Sequence, residues 1–145
     1  NQGVGLYDYQ SNAFSIITGS TSSGFIDREF SQLRFYYPRG LEFLSRSTLH
    51  VADQYNNRLR VLYLTTNTSS SICSGVRGNS DGDASSCQLL QPWSLRKVND
   101  TVYVGQERNI RSIRGKYLSS AKLIEVNSFR VYCENMSGSS TEYPK

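Results

Sequence analysis

Few side chains in this 145-residue sequence could do covalent or metal chemistry, and their spacing narrows the choice. There are three cysteines (Cys73, Cys87, Cys133), one histidine (His50) and one acidic, glycine-bearing stretch, Asn79-Ser80-Asp81-Gly82-Asp83. A lone imidazole inside the strand-like run Leu49-His50-Val51 cannot build a multi-histidine metal site, and any Ser-His-acid triad would have to recruit that same residue. No P-loop or dinucleotide fingerprint occurs. The acidic stretch alternates oxygen donors around a glycine but lacks the closing bidentate Glu of an EF-hand, so it reads as an Asp-Gly turn, with calcium binding the lesser alternative. No catalytic residue and no metal ligand is assigned, and no cofactor is expected.

The cysteines bear on compartment. Cys73 and Cys87 bracket the loop SGVRGNSDGDASS. Two readings stand: buried thiols acting as small hydrophobes, or a disulfide pinning the ends of a long glycine-rich loop. The disulfide is preferred, because both cysteines appear together at the ends of one loop and are missing from the matching upstream loop. Cys133 is then left over, and in an oxidising compartment an odd cysteine points to a partner outside this segment. Two N-glycosylation sequons, Asn67-Thr68-Ser69 and Asn135-Met136-Ser137, fall in Ser/Thr-rich, loop-like stretches. Ten asparagines in a Ser/Thr-rich chain give about two sequons by chance, so only their loop positions inform.

The elements that must position these groups are strands. The hydrophobic fraction is 37% with 12% aromatic residues, so the core has to lean on rings. No run reaches the roughly 18 apolar residues of a membrane-spanning helix, and membrane insertion is not expected. The start at Asn1, with neither an initiator Met nor a signal-like segment, reads as a processed product or an excised piece. Sustained i, i+3, i+4 spacing is absent, whereas Arg58-Leu59-Arg60-Val61 and Thr101-Val102-Tyr103-Val104 read as alternating or buried strands.

Self-similarity organises those strands. Three strand-turn-strand segments lie over one another: Gly5 to Gly19, Leu49 to Leu64, and Thr101 to Gly115. The overlay sets Asp8 on Asp53, sets Phe14, Ile16 and Ile17 on Leu59, Val61 and Leu62, and sets Leu59 and Leu62 on Ile110 and Ile113. YYPRGLEFL (Tyr36 to Leu44) matches LQPWSLRKV (Leu90 to Val98), with Pro38 on Pro92. The spacings are 45 residues from Asp8 to Asp53 and 54 from Pro38 to Pro92, the excess being placed in the Ser/Thr run Thr65 to Ser71. Repeats of 40–50 residues mean propeller blades or helical arrays, and strands select the former.

PRGLEFL followed by LHVADQYNNRLRVL resembles the NHL repeat, the blade unit of one class of β-propellers. The likeness is closest over Tyr37 to Leu64 and extends more weakly over Gly5 to Gly19 and Gln91 to Gly115. The third unit departs from the pattern, with Gly105-Gln106 for Ala52-Asp53 and Trp93-Ser94 for Arg39-Gly40. The resemblance implies an all-β fold, a partial NHL-like β-propeller of about three four-stranded blades belonging to a larger ring. Blades then occupy residues 1–115, and residues 116–145 hold the last strands of a blade and a connector. It also implies structural turn roles for Asp8, Asp53, Asn56, Asn57 and Arg58. Three units cannot close a ring, so the missing blades are expected elsewhere in the same polypeptide or, less favoured, in other chains.

The functional expectation is a non-enzymatic binding or scaffold module of a secreted or cell-surface protein, meeting other proteins or glycans. The runner-up is an RNA-binding propeller, with Arg60 and Arg111 as a candidate basic face and Tyr7, Tyr9, Tyr55 and Tyr103 as stacking rings. A net charge of +4 without clustered cations disfavours nucleic acid. The third reading is a metal-dependent lyase or hydrolase, although the histidines that line the family's zinc lyase have no counterparts here.

Overall fold

The computed structural model describes residues 2–114 and the backbone of 125–129. Among the described residues, ten strands are arranged in three antiparallel sheets: a hairpin of β1 (Gln2–Asp8) and β2 (Ala13–Ser20), and two four-stranded sheets. The second sheet runs in chain order through β3 (Pro38–Ser45), β4 (Thr48–Asp53), β5 (Arg58–Tyr63) and β6 (Thr68–Ile72). The third does the same through β7 (Ser94–Val98), β8 (Thr101–Gly105), β9 (Ile110–Arg114) and β10 (Glu125–Phe129). The one helical element among the described residues is a 3-10 turn, Gln54–Asn56, between β4 and β5. No helix there is long and apolar enough to cross a membrane.

Local chemistry explains the elements. The outer positions of β3 and β7 alternate in exposure, whereas β4 and β5 are buried along most of their length, as strands flanked on both faces must be. The tight turns fall on asparagines that tolerate the left-handed region: Asn12 (φ 53°), Asn67 (φ 54°) and Asn99 (φ 51°).

A repeat of 54 residues runs through the connectors that precede the two four-stranded sheets. Gly24 N–H donates to the Phe35 carbonyl at 2.9 Å, and 54 residues on Gly78 donates to Leu89 at 3.1 Å. Leu33 donates to Glu29 at 3.1 Å, and Cys87 to Asp83 at 3.0 Å. Tyr37 and Gln91, each just before a proline, both take positive φ (60° and 48°). Each is pinned by a side chain of the sheet before: Gln2 Oε1 accepts from Tyr37 N–H at 2.6 Å, and Asn57 Oδ1 from Gln91 N–H at 3.1 Å.

These pairs correct the sequence overlay. Gln2 stands in the place of Asn57, so β1 and β2 correspond to β5 and β6, not to β4 and β5. The 45-residue spacing therefore disappears in favour of a 54-residue one. The Ser/Thr run read as an insertion is largely the strand β6. In place of three four-stranded units the described residues form two, preceded by a hairpin. Strand-turn-strand patterns look alike whichever pair they come from; the next element along the chain, a connector or another strand, sets the register.

Two apolar cores fill the spaces between sheets, and they are built from the same positions. Val4, Phe30, Leu33, Phe35, Leu49, Val51 and Leu62 form the first. Of their counterparts 51 to 55 residues on, Leu59, Cys87, Leu89, Val102, Val104 and Ile113 lie in the second and Ala84 packs against it. The second core also gathers Leu44, Ala52, Val61, Ile72 and Cys73.

Candidate functional site

The polar residues singled out by sequence converge on a buried node. Asp53, at the end of β4, is fully buried and accepts from Tyr36 N–H at 2.7 Å, from Asn56 Nδ2 at 2.8 Å and from Arg60 NH1 at 2.8 Å. Burial pushes its carboxyl above the usual range, against the downward pull of Asn56, Tyr36 and Arg60. Arg60, from β5, reaches back across the connector to the Arg34 carbonyl at 2.8 Å, to the Ile26 carbonyl and to Asp27 Oδ1 at 2.7 Å. Its guanidinium also lies over the rings of Phe25 and Phe35, at 5.0 and 5.1 Å from their centroids.

The third sheet rebuilds this node with different residues. Gln106 takes the place of Asp53: its Oε1 accepts from Leu90 N–H at 3.1 Å, and its Nε2 donates to Asn109 Oδ1 at 2.7 Å. Arg111 donates to the carbonyls of Ser80 and Gln88 at 3.3 Å and pairs with Asp81. Ser80, Asp81 and Gln88 are 54 residues beyond Ile26, Asp27 and Arg34. A neutral amide suffices at Gln106 because Arg111 does not reach it.

Arg60 and Arg111 are therefore not a basic face. Both side chains are fully buried, each holding a connector against its own sheet. Each guanidinium turns toward carbonyls and a carboxylate of its connector. Sequence reasoning missed their partners; the signal was the 54-residue spacing of Asp27 and Asp81.

The remaining turn residues divide. Asn56 also donates to the Gly24 carbonyl at 2.8 Å. Asn57 closes the 3-10 turn at φ 51°. Arg58 donates to the carbonyls of Cys73 and Ser74 and covers Phe25 at 4.0 Å. Asp8 does something else: it is exposed and caps its own hairpin, accepting from Gln10 N–H at 2.9 Å and Ser11 Oγ at 2.6 Å. Those bonds hold its carboxyl below the usual range. It is not a counterpart of Asp53.

Cys73 and Cys87 form a disulfide, with Cα atoms 4.5 Å apart. The acidic stretch beside it is engaged internally. Asn79 accepts from Gln106, Asp81 pairs with Arg111, and Asp83 Oδ1 accepts from the backbone and hydroxyls of Ser85 and Ser86. Gly78-Asn79-Ser80-Asp81-Gly82 also spells the G-x-S-x-G pattern, but Ser80 lies in a connector and not at the strand-to-helix elbow that pattern requires. Asn67 of the first sequon is exposed, in the turn between β5 and β6. Asn135 and Cys133 lie outside the described residues.

One surface combines rings with a fixed cation. Tyr36, Tyr37 and Tyr55 are each a little under half exposed, and the rings of Tyr36 and Tyr37 both lie 5.1 Å from that of Tyr55. The Arg39 guanidinium sits 5.6 Å from the Tyr37 ring centroid, steered by a 3.1 Å bond from its Nε to Gln54 Oε1. Trp93 is also half exposed, and its backbone lies against β3: a Cβ on Gly40 would lie 2.8 Å from its carbonyl oxygen. The tight turn after β4 and the strained residue before Pro38 place the rings together. Tyr55 was foreseen as a stacking residue; Tyr36, Tyr37 and Arg39 were not.

A scan against protein-family models matches none, and no curated protein matches the chain.

Proposed function

We propose that this chain is a non-enzymatic binding or scaffold module, an NHL-like β-propeller segment of a secreted or cell-surface protein that meets other proteins or glycans. The observation that carries the reading is the ledge of Tyr36, Tyr37, Tyr55 and Arg39. Rings half open to solvent beside a steered guanidinium offer flat apolar contact and directed hydrogen bonds together, which suits sugar rings and peptide side chains alike. The buried polar groups, by contrast, hold connectors to sheets. The 54-residue repeat of connector and four-stranded sheet supports blades, and the disulfide fits an oxidising compartment.

The test is an array of immobilised oligosaccharides and peptides, run beside a single-stranded RNA oligonucleotide. Binding to the array should fall at least about tenfold in Tyr37→Ala/Arg39→Ala, the loss of one good contact, with an unchanged circular dichroism spectrum. Binding to RNA alone, weakening steeply with salt, would replace this reading by the nucleic-acid one.

A further inference from the structure

Among the described residues, β1 has a partner on one side only. Its counterpart β5 lies between β4 and β6, and β9 lies between β8 and β10. β1 pairs with β2, and no described strand covers its other edge. The open edge carries glycines and apolar residues, Gly3, Val4, Gly5 and Leu6, without the lysine or proline that blunts exposed edges.

The side chains around that edge are exposed where their counterparts are covered. Leu6 is 57% exposed, whereas Val61, 55 residues on, is 6% exposed. Leu41 is 48% exposed, whereas Leu95, 54 residues on, packs on the second core. Leu44 and Ala52, which β3 and β4 give to the second core, have no counterparts in the first. In their place is an open cleft of about 610 Å³ lined by Val4, Leu6, Ile17, Leu41, Phe43 and Leu49.

We propose that this edge and cleft seat a β-hairpin of the β3–β4 type belonging to the same polypeptide, pairing antiparallel with β1 and turning the two-stranded unit into a four-stranded one. The inference rests on the blade reading proposed for the chain. The occupant's chemistry follows from the repeat. Its inner strand pairs with β1 and is apolar, and it ends in a carboxylate or amide acceptor, as β4 ends in Asp53 and as Gln106 follows β8. One apolar residue on each of its strands fills the cleft as Leu44 and Ala52 fill the other. The same polypeptide is the source because Gln2 holds the place of Asn57: such a hairpin runs into β1 through one tight turn, with no linker to order.

The test places a second copy of residues 38–56 directly ahead of Gln2 in the full chain and reads amide hydrogen exchange. Exchange in β1 should slow at least about tenfold against the parent chain, while a scrambled graft of the same composition leaves it unchanged. Should the grafted chain misfold, the same segment added to the parent as a separate millimolar peptide should protect the same amides. Unchanged β1 exchange in a grafted chain that keeps β4 and β5 protected overturns the proposal. So does a parent chain whose β1 amides are already protected in a dimer, which would make a second copy the occupant. Binding at the tyrosine ledge is read separately, so failure here and failure of the proposed function do not mimic each other.

Discussion

The two apolar cores use the same seven positions, yet one is closed and the other open. In the closed core, Leu59, Val61 and Ile72 meet Leu44 and Ala52 of their own sheet and Leu89, Val102, Val104 and Ile113 of the next. In the open core, Val4 is buried but Leu6, Leu41 and Phe43 are not, because no described strand flanks β1 on its inner side. Burial in a stacked repeat is thus a property of pairs of units, and a side chain of the right type in the right register stays wet when its neighbour is missing. The cores also reach the same packing by different volumes. Phe30 and Leu33 fill one, while Ala84 and the Cys73–Cys87 disulfide fill the equivalent space in the other. Gly19 stands where Cys73 does, since a Cβ there would lie 2.3 Å from the Gly3 Cα.

The buried guanidiniums break this comparison hardest. Arg60 neutralises a carboxylate that is fully buried, whereas the Asp81 partner of Arg111 has a side chain 54% exposed. Arg60→Met strips a buried carboxyl of its cation, and should lower unfolding free energy by about 3–5 kcal/mol at neutral pH. Arg111→Met lets Asp81 rehydrate and loses chiefly the bonds to two carbonyls, about 1–3 kcal/mol. Urea denaturation of both variants checks the difference; equal losses would mean that the two nodes are energetically the same despite their different burial.

His50 and Tyr103 occupy equivalent positions in β4 and β8. Burial holds the His50 imidazole down to about 4 from its ordinary 6.5. The folded state therefore keeps it neutral while the unfolded chain takes up a proton, so stability is complete above pH 6.5 and is lost as pH falls toward 4. The loss amounts to roughly 3 kcal/mol over that window. The difference between wild type and His50→Gln isolates it, because Asp53 titrates in both. Parallel stability curves for the two proteins between pH 7 and 4 would show that the imidazole is not the group responsible.

Much of this was legible in the residues. The strand class, the 54-residue spacing of Pro38 and Pro92 and the loop disulfide follow from alternation, spacing and loop chemistry. The register of the first hairpin was not, because apolar alternation has a period of two and fits β4–β5 as well as β5–β6. Arg60 and Arg111 were misread for a related reason. An arginine between two apolar residues marks an outward position only if the opposite face lacks partners, and here the connectors fold over with carbonyls and an aspartate. Gln106 looked like a departure from the pattern, whereas its amide makes the same bond as Asp53 to the residue two before a proline.

The smallest expected effect discriminates most cleanly between closed and open cores. Leu95→Ala removes methyl groups from the packed side of β7 and should cost about 1–2 kcal/mol, below the usual 2–5 for full burial because Leu95 is only partly covered. Leu41→Ala, the same change in β3 54 residues earlier, touches a side chain already half in water and should stay within about 0.5 kcal/mol. In the chain carrying the grafted hairpin the two should converge, since Leu41 then acquires the neighbours that Leu95 has. A Leu41→Ala cost that is already large in the parent chain would mean that something covers the first core without the hairpin, and the contrast between the two cores would then lie in composition and not in closure.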